Sequence, residues 1–366
     1  MTNNFIDNVD APPPIKEFLA TQSKDISFTK NSNKGCNGYV FFGDHKILQE
    51  KRAIKIYFWD NKKNFHTEPK YLASINSQNI LPIKNAGYID DEWAYFDTQY
   101  CPNGDLDDYL VEHIVGNKES IDFIHAVLTG LSQLHSERYV HRDLKPENIY
   151  LDNSNNPVIG DFGSLRVIPQ GKSEIPASSN SLLYRPPEAI QHQTYSQVSD
   201  IYQVGVVLYQ LLGGELSYVP EDWLKDKERK QLASLANAAE QSDFIDACIH
   251  SKITSNKLLR LDSLPFWVPK HLKKIVRKAT STAPAKRYQC AADFQADLHR
   301  ARARTHDWQC IDGIPTLLAP DATSYRILKH SHNYQVEKKK SGAWRKDNSI
   351  ESNDPTEIVL AIEARL

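Results

Sequence analysis

The run His141-Arg142-Asp143-Leu144-Lys145-Pro146-Glu147-Asn148 gathers an acid, a cation and a carboxamide on one short stretch. Asp161-Phe162-Gly163 follows, its Asp thirteen residues after Asn148. Asp143 can serve as a general base and Lys145 as a cation facing a phosphate. Asn148 and Asp161 offer two oxygens to a hard divalent ion. These are the parts that phosphoryl transfer needs, because its loose transition state is stabilised by positioning and charge rather than by covalent chemistry. Upstream, Asn33-Lys34-Gly35-Cys36-Asn37-Gly38-Tyr39-Val40 has the glycines of a phosphate cradle. Gly35 and Gly38 lack a Cβ, so backbone amides there can come close to an anion. Asn33 tolerates a positive φ better than most residues.

A chain of 366 residues can bury a large core, and one domain of 250 or more residues with an appendage is expected. Net charge is −2, with a quarter of residues charged, which gives no whole-chain signal for nucleic acid or acidic lipid. There is no run of 18 apolar residues and no basic-then-apolar N-terminus, so neither a membrane span nor a signal peptide is expected. The cysteines (36, 101, 248, 290 and 310) are scattered and odd in number, which reads as free thiols in a reducing, cytoplasmic compartment.

The elements that must position the reactive residues follow from periodicity. Residues 1–24 read as a loose extension containing Pro12-Pro13-Pro14, with a short helix at 15–20. From Ile26 to Tyr100 strands dominate. Tyr39–Phe42, Arg52–Phe58 and Trp93–Phe96 are aromatic and β-branched, and one helix interrupts them near 68–75. From Asp105 to about Arg304 apolar residues recur at helical spacing, as in Ile121, Ile124, Val127, Leu128, Leu131 and Leu134. Residues 305–366 read as a β-hairpin (Tyr325–Leu328 with Tyr334–Glu337). A terminal helix follows, introduced by Asp354-Pro355-Thr356-Glu357.

Taken together, the catalytic run, the glycine loop and Arg52-Ala53-Ile54-Lys55 resemble the motifs of the eukaryotic-type (Hanks-type) protein serine/threonine kinase family, over roughly residues 26–303. The resemblance implies an α+β, two-lobe kinase-like fold: a β-rich lobe over 25–100, a mostly helical lobe over 105–304, and a small C-terminal β-hairpin/helix appendage. It implies ATP and Mg²⁺ as cofactors, with Mn²⁺ as an alternative, and protein substrates. Lys55 then holds the α- and β-phosphates and pairs with Glu68, although Pro69 directly follows that Glu. Thr98 gates the pocket behind adenine, the backbones of Gln99 and Cys101 bond adenine, and Asp105 reaches the ribose. Val40 and Ala53 cover adenine and Tyr150 lies beneath it. His141 and Phe162, with Leu72 and Ile83, form a packed column. Lys145 is characteristic of the serine/threonine class rather than the tyrosine class.

The resemblance extends through the activation segment. Pro187-Glu188 ends a motif whose Glu pairs with Arg287, Ser181 supplies a hydroxyl to Asp143 and Lys145, and Asp200 braces the catalytic loop. Arg142 implies a phosphorylated residue, with Ser173, Ser178 and Ser179 as candidates for self-phosphorylation. Cys36 and Cys101 are either reactive thiols or small pocket residues. Between Arg326 and Lys346 seven Lys or Arg stand against one Glu, with Tyr325, Tyr334 and Trp344 interleaved. That tail reads three ways: a nucleic-acid surface, a solvated hairpin packed through its aromatics, or a docking or autoinhibitory element. The alternatives for the whole chain are a nucleotide-binding pseudokinase or scaffold, and a kinase-fold enzyme acting on a small molecule.

Overall fold

The structure is a computed structural model that describes residues 4–32, 38–59, 70, 73, 75, 77–177, 181–319, 323–331 and 333–366. The chain divides into two compact units, Met1–Asp105 with Tyr150–Leu165, and Leu106–Ile149 with Arg166–Leu366.

The first unit is built on an antiparallel sheet of β1 (Ile26–Ser32), β2 (Gly38–His45), β3 (Lys51–Phe58), β4 (Ile83–Tyr88) and β5 (Trp93–Gln99), in the order β1-β2-β3-β5-β4. The period-2 pattern of β3 explains its position. Arg52, Ile54 and Ile56 are buried on one face, while Ala53, Lys55 and Tyr57 are partly exposed on the other. The buried face is covered by the N-terminus, which is not the loose extension its polarity suggests. Two helices, α1 (Asn4–Asp7) and α2 (Pro13–Gln22), set Ile6, Val9, Ile15 and Leu19 into one core with Phe41, Ile54 and Ile56. Pro13 and Pro14 occupy the first helical positions, where the missing N–H costs nothing. Ile15 and Leu19, four apart, form the stripe that meets the sheet. The expected helix near 68–75 lies mostly outside the described residues.

The second unit surrounds α6 (Gln197–Leu211), a helix buried along nearly its whole length. Ahead of it come α3 (Leu106–Glu112), α4 (Asn117–Ser136), β6 (Tyr139–Val140), β7 (Ile149–Leu151), β8 (Pro157–Ile159), β9 (Arg166–Val167), β10 (Ile175–Pro176), α5 (Pro187–Gln191) and β11 (Thr194–Tyr195). Of these, β8 and most of β7 group with the first unit. After it come α7 (Asp226–Leu232), α8 (Ala238–Thr254), α9 (Lys270–Ala279) and α10 (Ala291–Ala303). β9 pairs with β6, and β10 with β11, so the segment between Asp161 and Glu188 is tied down twice.

The C-terminal appendage is larger than a hairpin. Five antiparallel strands run in sequence order, β12 (Asp307–Ile311), β13 (Ile314–Leu318), β14 (Ser324–Lys329), β15 (Tyr334–Lys339) and β16 (Arg345–Lys346), followed by α11 (Pro355–Glu363). The expected hairpin is its β14–β15 pair. Trp308, Tyr325, Ile327, Val336, Ile358 and Ile362 form a core that also takes in Phe266 and Trp267 from the loop before α9. The Trp308 indole donates to Glu363 at 2.9 Å. Arg326 bonds Glu337 at 2.7 Å and stacks on Trp344, whose ring also faces Lys339. The tail's aromatics are therefore engaged within the module.

Truncating Leu19 to Ala removes a fully buried side chain from the helix–sheet core and should destabilise the first unit by about 2–5 kcal/mol. Urea denaturation checks it. A loss below about 0.5 kcal/mol, the size of an ordinary surface change, would mean that α2 is not part of this core.

Candidate active site

In the first unit, sheet register puts the nucleotide-facing candidates on the face opposite α1 and α2. Val40, Lys55 and Phe96 are cross-strand neighbours, as are Phe42, Ala53 and Thr98. The Lys55 ammonium donates to Asp161 Oδ1 at 2.8 Å and stands 5.7 Å from the Phe96 ring centre. Asp161 holds a left-handed backbone (φ 51°), rare for a residue with a Cβ and typical of constrained functional positions. Gly38 has a structural reason of its own: a Cβ there would collide with the Ile56 carbonyl oxygen on β3. Gly35, Cys36 and Glu68 lie outside the described residues, as does Leu72.

Past β5 the chain turns through Cys101-Pro102-Asn103-Gly104, with Gly104 at φ 73°. Asn103 donates to the Asp152 carbonyl and to Asn155 Oδ1, both at 2.7 Å, and Asp105 bridges to Tyr150. The Tyr150 ring lies against Gly160, where a Cβ would sit 2.5 Å from it. Thr98 is buried, and its hydroxyl donates to the Gln99 carbonyl at 3.1 Å. Burial, with the Asp152 charge adding to it, pushes the Cys101 thiol up to about 12, which supports the small-pocket-residue reading over a reactive thiol.

In the second unit, the catalytic run hangs from α6. Asp200 is fully buried and accepts from the His141 and Arg142 N–H groups, each at 2.9 Å. His135 Nε2 lies 2.9 Å from the same carboxylate, and the Tyr195 hydroxyl donates to it at 2.8 Å. One turn on, Gln203 Oε1 accepts from the Leu144 N–H at 2.9 Å and from Tyr195 at 2.8 Å. Burial works against the Asp200 charge, but the His135 contact and the Arg142 N–H outweigh it and hold its pKa below the usual carboxylate range. Sequence reasoning names Asp200 but misses Gln203, Tyr195 and His135. A polar residue three positions after Asp200 in an otherwise apolar helix is the signal that could have found Gln203.

Within the run, the Asn148 amide donates to the Asp143 carbonyl at 2.7 Å and to Asp143 Oδ2 at 3.1 Å. Lys145 donates to Ser181 Oγ at 2.9 Å and stands 3.8 Å from Asp143 Oδ2. The other carboxylate oxygen, Asp143 Oδ1, is buried with no hydrogen-bond partner among the described residues. Further along, Arg287 donates to both Glu188 oxygens at 2.7 Å, and the Ser199 hydroxyl adds a bond at 2.6 Å. Burial, and then repulsion from Arg166, lowers the pKa of Arg142, whose guanidinium reaches the Pro176 carbonyl at 3.3 Å. Ser173 is exposed, while Ser178 and Ser179 lie outside the described residues. A cavity of about 320 Å³ beside Ser181 is lined by Glu147, Tyr184, Tyr218, Trp223 and Asp246.

The protein kinase domain family matches residues 33–298, and the chain belongs to that family. Among curated relatives, the serine/threonine-protein kinase PrkC of Bacillus subtilis (strain 168) is 27% identical over 273 residues, covering 72% of this chain and 38% of the relative. The maternal embryonic leucine zipper kinase of Danio rerio is 32% identical over 194 residues, covering 50% of this chain and 28% of the relative. The chain thus matches well under half the length of either. The α+β kinase fold implied by the motifs is the fold found, with a five-stranded sheet in the first unit and further C-terminal strands.

Two outcomes follow from this geometry. Asp200→Asn puts an amide donor among N–H and O–H donors and should cost about 3 kcal/mol or more, read by urea denaturation at pH 7. Because the Asp200 pKa is depressed on folding, its contribution is complete above the unfolded value of about 3.9 and is lost as pH falls through the folded value. Cys101 should resist iodoacetamide at pH 8 while exposed Cys290 is alkylated, read by peptide mapping. Equal labelling of the two would contradict the raised Cys101 pKa.

Proposed function

We propose that this protein is an ATP-dependent serine/threonine kinase that moves the γ-phosphoryl group onto Ser or Thr of protein substrates. The observation that carries the reading is the buried Oδ1 of Asp143, without a hydrogen-bond partner among the described residues, on a loop suspended from α6 where Asn148 holds the Asp143 carbonyl and Oδ2. Oδ1 accepts the hydrogen bond of an incoming hydroxyl and orients it. Lys145, with Ser181, neutralises charge on the phosphoryl group in transit. Lys55 binds the α- and β-phosphates, and Gly35, Gly38, Val40, Ala53, Thr98, Gln99, Cys101, Asp105 and Tyr150 make the nucleotide site. Glu68 remains the proposed partner of Lys55.

Mg²⁺, with Mn²⁺ as an alternative, would be held by Asp161 and Asn148. With its amide nitrogen turned to Asp143, Asn148 offers its carbonyl oxygen. Among the described residues no cluster of three or more His, Cys, Asp or Glu forms a metal cage. That suits a cation bound by one or two protein oxygens plus substrate phosphates. Bound there, the cation would supply positive charge to offset that of the phosphates. Self-phosphorylation is proposed at Ser173, Ser178 or Ser179, and the buried Arg142 beside Arg166 supports an anion arriving there. The cavity lined by Glu147 and Asp246 suits substrate residues flanking the acceptor. Among the described residues nothing favours a scaffold or a small-molecule enzyme.

We further propose a cytoplasmic signalling role. The free thiols Cys101, Cys248, Cys290 and Cys310 support a reducing compartment. Among the described residues no helix is long and apolar enough to cross a membrane. The internally engaged tail aromatics support the packed-module reading of residues 305–366 over nucleic-acid binding.

Incubation with ATP, Mg²⁺ and a generic basic protein should yield phosphoserine or phosphothreonine and no phosphotyrosine. Asp143→Ala should cut kcat by about 10²–10⁴-fold, the range of a lost general base, and Lys55→Met should raise the KM for ATP. Equal turnover by wild type and Asp143→Ala would sink the proposal.

A further inference from the structure

Arg138 sits between α4 and β6, three residues before His141, and its backbone is left-handed (φ 63°). That conformation suits Gly or Asn and is unfavourable for a long side chain. The Arg side chain nevertheless makes three hydrogen bonds. Its Nε donates to the Ile168 carbonyl at 2.9 Å, and its Nη2 to the Pro169 carbonyl at 2.7 Å and the Lys172 carbonyl at 2.9 Å. Its own carbonyl accepts from the Ile168 N–H at 2.9 Å.

The clasped segment is a defined turn. Pro169-Gln170-Gly171-Lys172 closes with the Lys172 N–H donating to the Pro169 carbonyl at 3.0 Å, and Gly171 at φ 79° fits the third position of a type II turn. Both end carbonyls of the turn thus face one guanidinium. A forked, permanently charged group can satisfy several carbonyls at once, whereas a lysine ammonium acts as a point charge. Ser173 follows the turn directly. On its other side β9 pairs with β6, and Ile168 is buried with Val140, Ala189 and Tyr195.

We propose that Arg138 is a positioning residue that fixes the first half of the activation segment, residues 166–172, through neutral carbonyl acceptors. That half is then in place before any phosphate is added, and phosphorylation is left to order what lies beyond it. The inference rests on the kinase reading for its consequence in catalysis, but not for the clasp itself.

The test uses the full chain as wild type, Arg138→Gly and Arg138→Lys. Glycine removes the clasp and suits the left-handed backbone, so the fold is spared. Hydrogen exchange at the Ile168 and Lys172 amides should quicken by about tenfold or more in Arg138→Gly, as expected for lost charge-assisted bonds, and by less in Arg138→Lys. The KM for a protein substrate should rise several-fold while the KM for ATP stays within twofold. Unchanged exchange at these amides, or faster exchange spread evenly into α6 and α10, would overturn the proposal. So would an unchanged protein-substrate KM in a variant whose turn has opened. If wild type transfers no phosphate, the kinase reading fails, and the exchange data alone decide whether Arg138 holds the turn.

Discussion

A buried carboxylate that cannot reach water must be fully satisfied or it destabilises the fold. Asp200 meets that requirement by accepting from two consecutive backbone N–H groups of the catalytic run, from Tyr195 and from His135. The solution has a geometric by-product. The two backbone bonds fix the two peptide planes that flank His141, and Arg142 stands at a positive φ of 73°. From that kink Asp143 emerges with one carboxylate oxygen engaged and the other without a partner among the described residues. Gln203 fixes the next N–H. The run is thus a loop whose backbone is anchored to side chains of a buried helix.

The first unit solves a different problem with one strand. Alternation along β3 lets Ile54 and Ile56 build the core with α1 and α2 while Ala53 and Lys55 face away from it. Every apolar residue that α2 contributes therefore stiffens the strand that carries Lys55. The buried Arg52–Asp97 pair, 3.0 Å apart, lies at the end of the same strand. Burial raises the Asp97 pKa in spite of the neighbouring guanidinium, so desolvation offsets much of what the pair would add to stability.

The candidate site residues were legible in the sequence because phosphoryl transfer needs particular residue types placed close together. The catalytic run and Asp161 could be named from residue types and spacing, and Lys55 and the Glu188–Arg287 pairing from the family resemblance. What stayed hidden depends on long-range packing. Ile6, Val9, Ile15 and Leu19 are too few and too interrupted by polar residues to announce a core, and only the sheet face they meet explains them. Tyr195 and His135 look like ordinary residues until the fold sets both against Asp200. The β12–β13 hairpin was missed because Asp307–Ile311 lacks clean alternation and its partner strand holds Pro315, although the Asp312-Gly313 turn, with both residues at positive φ, is the signal that could have found it. Arg138 was invisible for the opposite reason: at its position the backbone suits glycine, and nothing in the sequence says that an arginine there bends back to grip a turn thirty residues away.

Trp308 and α11 share their core with Phe266 and Trp267, which belong to the loop introducing α9. Asn117, at the start of α4, donates to the Trp267 carbonyl at 3.1 Å, and Arg302 of α10 pairs with Asp122 of α4. The strands after α10 therefore do not form a detachable cassette. A recombination event joining this catalytic region to a foreign tail would leave two large aromatic rings facing water. The kinase region and the module thus share one core, and the stability of each depends on the other.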